Sequence, residues 1–140
     1  MDLVSFMKER IRKELNKIAH RLNISMPKII YDNESYYTYG VIHLKIYEDY
    51  NKTLFLALHE LRHHYQFLYV KRFKNDIARI IQYEMNHDIN YFNSYMEGDA
   101  YTFSLYVLEN IFHMKYQVSK ETNRIIYNFK AKFSFCFNIF

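Results

Sequence analysis

A chain of 140 residues with two glycines and one proline has few places to reverse direction. Sandwiches and barrels built from many short strands need a turn signal about every 8–12 residues. Their scarcity here predicts an α+β protein, mainly helical, with a small sheet. The chain is 50% hydrophobic and 19% aromatic, which excludes a disordered composition. The length suits one domain spanning residues 1–140.

The apolar periodicity supplies the elements. Leu3, Val4, Met7, Ile11, Leu15, Ile18 and Leu22 recur at helical spacing, with Asp2 as N-cap and Asn23 and Pro27 as terminators. Ile29–Tyr31 reads as a short strand and Asp32–Ser35 as a polar turn. Tyr36–Tyr47 is β-branched and aromatic, and alternates Ile42, Leu44 and Ile46 against Val41, His43 and Lys45; it is a strand, or a hairpin broken at Gly40. Leu54, Leu58, Leu61, Tyr65 and Leu68 predict a helix over 53–70. Asp76 can cap a helix carrying Ile77, Ile80, Ile81 and Met85, and Ser94 can cap another running to Phe112. Ser119 to Lys132 is a last helix, and the tail Phe133–Phe140 is a strand or a greasy segment that docks.

One of these segments carries chemistry. His59-Glu60-Leu61-Arg62-His63 is HExxH. Residues four apart on a helix share a face, with Cβ atoms roughly 5–6 Å apart. Two imidazoles at that spacing can converge on one Zn²⁺, at about 2.0–2.1 Å each. Glu60 projects about 100° further round the helix. It can therefore stand beside the metal as a general base without ligating it. The bland alternative is a pair of ordinary half-buried histidines, ion-paired to Glu60 or a neighbouring carboxylate. Placement on a strongly periodic helix, after a strand, favours the metal.

Two histidines do not complete a catalytic zinc site, which has three protein ligands and an open position. Glu84, His87, Asp88, Glu97, Asp99 and Glu109 lie downstream. Glu97 is the strongest, because the intervening chain has room for a loop, a helix and a second loop. Read from the residues alone it has two roles open to it. It can be the third ligand, or it can close a capping box with Ser94, turning back to the Ser94 N–H.

HELRHHYQ followed by EGDAYTF resembles the small gluzincins, which include the ImmA/IrrE-type metallopeptidases and the minigluzincins. In that group HExxH is followed by a helix of the pattern E-x-D/E-A-x-x-F. The resemblance covers roughly residues 36–108. It implies that His59, His63 and Glu97 hold zinc and that Glu60 is the catalytic base. Ala100 then matches the small residue between the two helices, and Phe103 the core aromatic that follows. The implied fold is zincin-like, with the edge strand of a small sheet flanking the active-site helix and pairing with an extended substrate. The chain departs from the family at Tyr101, where gluzincins often carry Asp or Asn to support a histidine. Asp99 is the nearest substitute but falls on a different face of a regular helix, and Gly98 predicts an irregular helix start. Tyr101, Tyr65 and His64 are the candidates for stabilising a transition state; packing suits the last two better.

The expected function is a zinc metallopeptidase acting on a protein or peptide. The alternative is a non-catalytic zinc-containing module that binds nucleic acid or protein. The net charge of +4 and basic clusters at Lys8–Lys17, Lys71–Lys74 and Lys120–Lys132 permit a nucleic-acid face, but solvated helix surfaces explain them more simply. Cys136 is alone, so neither a disulfide framework nor a CxxC metal site is expected. The N-terminal stretch is too charged for a signal peptide, and no apolar run reaches the ~18–20 residues of a membrane span. These features predict a cytoplasmic protein with no membrane partner. Small size suggests a phage or mobile-element enzyme that cuts one specific protein.

Overall fold

The computed structural model describes residues 2–69 and 89–133. The architecture is α+β: the described residues form four α-helices and a three-stranded mixed sheet, which packs on the second helix. The expected helix from Asp76, the candidate ligands Glu84, His87 and Asp88, Cys136 and the tail after Phe133 lie outside those residues.

Helix α1 spans Leu3–Arg21. Its N-cap is Asp2, whose carboxylate accepts the Ser5 N–H at 2.7 Å. Met7, Ile11, Leu15 and Ile18 form its buried stripe, while Leu3 and Val4, expected on it, are exposed in the first turn. Of the basic cluster on this helix, Lys13 pairs with Glu9 and Lys17 with Glu14, while Lys8 and Arg10 lie over the rings of Tyr31 and Tyr50.

Strands β1 (Lys28–Tyr31), β2 (Tyr36–Thr38) and β3 (Val41–Leu44) follow. The sheet order is β1-β3-β2, with β1 parallel and β2 antiparallel to β3. The tyrosine-rich stretch is therefore a hairpin, and its break falls at Tyr39–Gly40. Ile42 and Leu44 are fully buried, as the alternation predicts. Tyr37 pairs with Ile42 and so shares the core-facing side. Strands β1 and β2 are the two edges, and β2 is the one beside the cleft.

Helix α2 spans Tyr50–Leu68 and begins earlier than the periodicity predicts. Asp49 is its N-cap, accepting the N–H groups of Asn51 and Lys52. Leu54, Leu58 and Leu61 are fully buried; Leu68, at the helix end, is half exposed. Helix α3 spans Ile89–Tyr106 and continues as a π-helical turn, Val107–Ile111. Helix α4 spans Lys120–Phe133, with the Ser119 hydroxyl accepting the Thr122 N–H.

One cluster of buried side chains draws on α1, β3, α2, α3, the π turn and α4. Helices α2 and α3 lie side by side, fastened by the Ser104 hydroxyl donating to the Phe55 carbonyl. Helix α4 backs α3 at Gly98. A Cβ built there would stand 2.7 Å from Cδ2 of Phe129, so glycine is what lets the two helices approach. Gly98 lies inside α3, which corrects the expectation of an irregular helix start. No helix among the described residues is long and apolar enough to cross a membrane.

Candidate metal centre

HExxH occupies the middle of α2, where the helix runs beneath the sheet edge on one side and along α3 on the other. His59 and His63 are a helical turn apart and present their Nε2 atoms to each other at 3.0 Å. Glu97 comes from α3. Its Oε1 lies 2.7 Å from His63 Nε2 and its Oε2 lies 3.4 Å from His59 Nε2. The capping box, the other role open to Glu97, does not form, because α3 starts at Ile89 and Ser94 is already inside it. That frees the Glu97 carboxylate to face α2.

His59, His63 and Glu97 make a group that could hold a metal ion. Two donors each about 2.0–2.1 Å from a tetrahedral ion stand roughly 3.3 Å apart. The imidazole nitrogens are 3.0 Å apart, and each lies near its own oxygen of Glu97, at 2.7 Å for His63 and 3.4 Å for His59, so these separations bracket that value. The donor chemistry agrees. Two imidazole nitrogens and one carboxylate face a common point, and their lone pairs repel unless a proton or a cation lies among them. Of the other downstream candidates that are described, Asp99 is taken by an ion pair and Glu109 is exposed on the π turn.

Glu60 is buried beside this centre, its Oε1 3.9 Å from His59 Nε2. Burial raises its pKa to about 7, opposed by the His63 charge and reinforced by Glu97. Burial also lowers the pKa of His59. For His63 burial acts the same way, but the hydrogen bond and charge of Glu97 outweigh it and the net shift is upward. Burial pushes Glu97 up, yet hydrogen bonds from both histidines win and hold it well below the usual carboxylate range.

Behind His63 lies a hydrogen-bonded chain that the sequence reading did not find. The Gln66 amide nitrogen donates to Met96 O at 2.8 Å and to Asp99 Oδ2 at 2.9 Å. Its Oε1 is thereby left facing His63 Nδ1 at 2.7 Å. An amide oxygen only accepts, so His63 carries a proton on Nδ1. Nε2, which donates to Glu97 when the ring is charged, is the nitrogen whose lone pair is left for a cation once that proton is lost. Asp99 is in turn gripped by Arg62, Nε at 2.7 Å to Oδ2 and Nη2 at 3.2 Å to Oδ1. Both residues of that ion pair are buried, and the guanidinium stacks on Tyr65 and Phe103. Asp99 does serve the centre, through Gln66 rather than by touching a histidine. A signal was present: Arg62 and Gln66 are four apart, and Gln66 is three after His63, so all three fall on neighbouring ridges of one helix.

His59 is supported differently. The Tyr101 ring lies 4.0 Å from the His59 ring, centroid to centroid. His59 Nδ1 is buried and has no hydrogen-bond partner among the described residues. Tyr65 is in the core, and His64 Nδ1 meets the Tyr37 hydroxyl at 2.7 Å. Of the three side chains considered for transition-state contacts, only Tyr101 reaches the cleft.

That cleft has a volume of about 720 Å³. Its floor is His59, Glu60, His63 and Gln66; β2 with Tyr39 forms one wall, and Met96, Glu97 and Tyr101 form the other. Comparison of the chain with protein-family models, curated proteins and solved structures finds no match.

Proposed function

We propose that the protein is a zinc-dependent metallopeptidase of the gluzincin type. The convergence of His59, His63 and Glu97 on one point, with a buried glutamate alongside, carries the reading. Two imidazoles and one carboxylate are a donor set suited to catalytic zinc. The bound ion would supply Lewis acidity and lower the pKa of a water molecule in the cleft.

The chain's own groups do the remaining work. Glu60, with a pKa raised to about 7, is poised to accept a proton from the attacking water near neutral pH and pass it to the leaving amine. Gln66 keeps the His63 Nε2 lone pair directed at the centre. Strand β2 is bonded only to β3 among the described strands, so its outer edge offers backbone groups to an extended peptide. The partner is accordingly a protein or peptide in extended form.

The test is metal content and proteolysis of the wild type and Glu60→Gln, side by side. A peptidase gives a variant that keeps its zinc and loses about 10²–10⁴-fold in turnover. A zinc-containing binding module gives no Glu60-dependent cleavage in either protein. Glu97→Ala that retains a full equivalent of zinc would remove the ligand assignment.

A further inference from the structure

The hairpin at the cleft mouth has the wrong residue for its turn. Tyr39 and Gly40 form a two-residue loop with φ of 39° and 86°, the positive-φ pair of a type I′ hairpin. Asn is usual at the first position because it tolerates the left-handed region; a bulky side chain there is a genuine outlier. Nothing within the described fold repays the strain, since Tyr39 is 86% exposed. Its ring meets the edge of Phe67 on α2, 6.0 Å between centroids at 81°. Phe67 is itself 46% exposed and lies 6.2 Å from Tyr37.

A single exposed tyrosine needs no explanation. Here a strained tyrosine, an exposed phenylalanine from another element and a third ring all line the cleft that contains the candidate metal centre. Among the described residues that line it, His59, Glu60, His63 and Glu97 are the acids and bases, all at the centre. The described lining of the aromatic end carries none. It offers ring faces and edges, which pair best with another ring. Backbone strain of this kind collects where a ligand is held.

We infer that Tyr39 and Phe67, with Tyr37 behind them, form a specificity subsite for a large apolar side chain, above all an aromatic one, of the peptide held in the cleft. That the occupant is a peptide rests on the metallopeptidase reading; the preference for an aromatic side chain rests on the three rings.

The test is equilibrium binding to the zinc-loaded, full-length Glu60→Gln protein. The probes are end-blocked fluorescent peptides identical except for Phe or Ala, with the substituted position scanned along the chain. At one position Phe should bind about tenfold more tightly than Ala, the expected worth of partly burying one aromatic side chain. Tyr39→Asn on this background should bring that ratio close to one while its Tm stays equal or rises, because Asn-Gly is the favoured turn. Phe67→Ala should also lower the ratio. A ratio below about twofold at every position, failure of both peptides to bind, or a tenfold preference that survives both substitutions would overturn the subsite. Turnover by the wild type separates the two ideas. Glu60-dependent cleavage with no Phe preference removes the subsite and leaves the peptidase; Phe-selective binding with no cleavage does the reverse.

Discussion

His59 and His63 present the same ring nitrogen to the same point, but the protein holds them by different means. His63 is wired: its Nδ1 proton goes to Gln66, Gln66 to Asp99, and Asp99 to Arg62. His59 is wedged: it leans on the Tyr101 ring, and its Nδ1 meets no acceptor among the described residues. A hydrogen bond fixes tautomer and orientation together. A ring packed against it limits the orientation but does not by itself choose which nitrogen carries the proton. The wired histidine should thus be the preorganised half of the centre, and the wedged one the half that a cation must set.

The largest break in this comparison comes from Asp99. Asp99→Ala takes the carboxylate from the buried Arg62 guanidinium and frees Gln66. Removing one partner of a buried ion pair costs about 3–5 kcal/mol, measurable by denaturant unfolding of the metal-free protein. A loss below about 1 kcal/mol, the scale of exposed pairs, would mean that the Arg62 charge does not depend on Asp99.

On the wedged side the dry neighbour of His59 is Glu60. Its folded-state pKa is about 7, against 4.5 for an unperturbed glutamate carboxyl. Between those limits the folded, metal-free chain keeps a proton that the unfolded chain has lost. Stability is therefore full below about pH 4.5, falls as pH rises towards 7, and levels off above it. Glu60→Gln removes this slope. Across that window the variant should gain on the wild type by on the order of 3 kcal/mol, read from unfolding curves at a series of pH values. Parallel curves would show that the carboxyl is hydrated.

Smaller effects separate the two supports directly. Gln66→Leu keeps the volume but leaves His63 Nδ1 without an acceptor, and should weaken zinc binding about 10–100-fold in a chelator competition. Tyr101→Leu removes only a ring face from His59 and should weaken it by less than about tenfold, the lower edge of that range. Equal losses in the two variants would abolish the distinction between wired and wedged.

Much of this was legible in the chain. HExxH on a periodic helix, the hairpin broken near Gly40 and the short strand before it follow from patterns within a few residues of each other. The carboxylate of Glu97 was legible only in part. The local rule, a serine three residues before a glutamate, predicts a cap, and it failed because α3 begins upstream of Ser94. Gly98 misled for a related reason: its meaning lies in Phe129, far along the sequence. The chain from Arg62 through Asp99 to Gln66 was not found because it exists only once α2 and α3 are set side by side. Arg62 sits in an apolar stretch and demanded a carboxylate, but nothing local said which one.

The missing side chain of Gly98 has a wider reach than packing. Because Phe129 rests against the glutamate helix immediately after Glu97, the last described helix braces the element that carries that carboxylate. Both imidazoles stand on α2 instead. A larger residue at position 98 is therefore expected to disturb one donor of the centre before the other two.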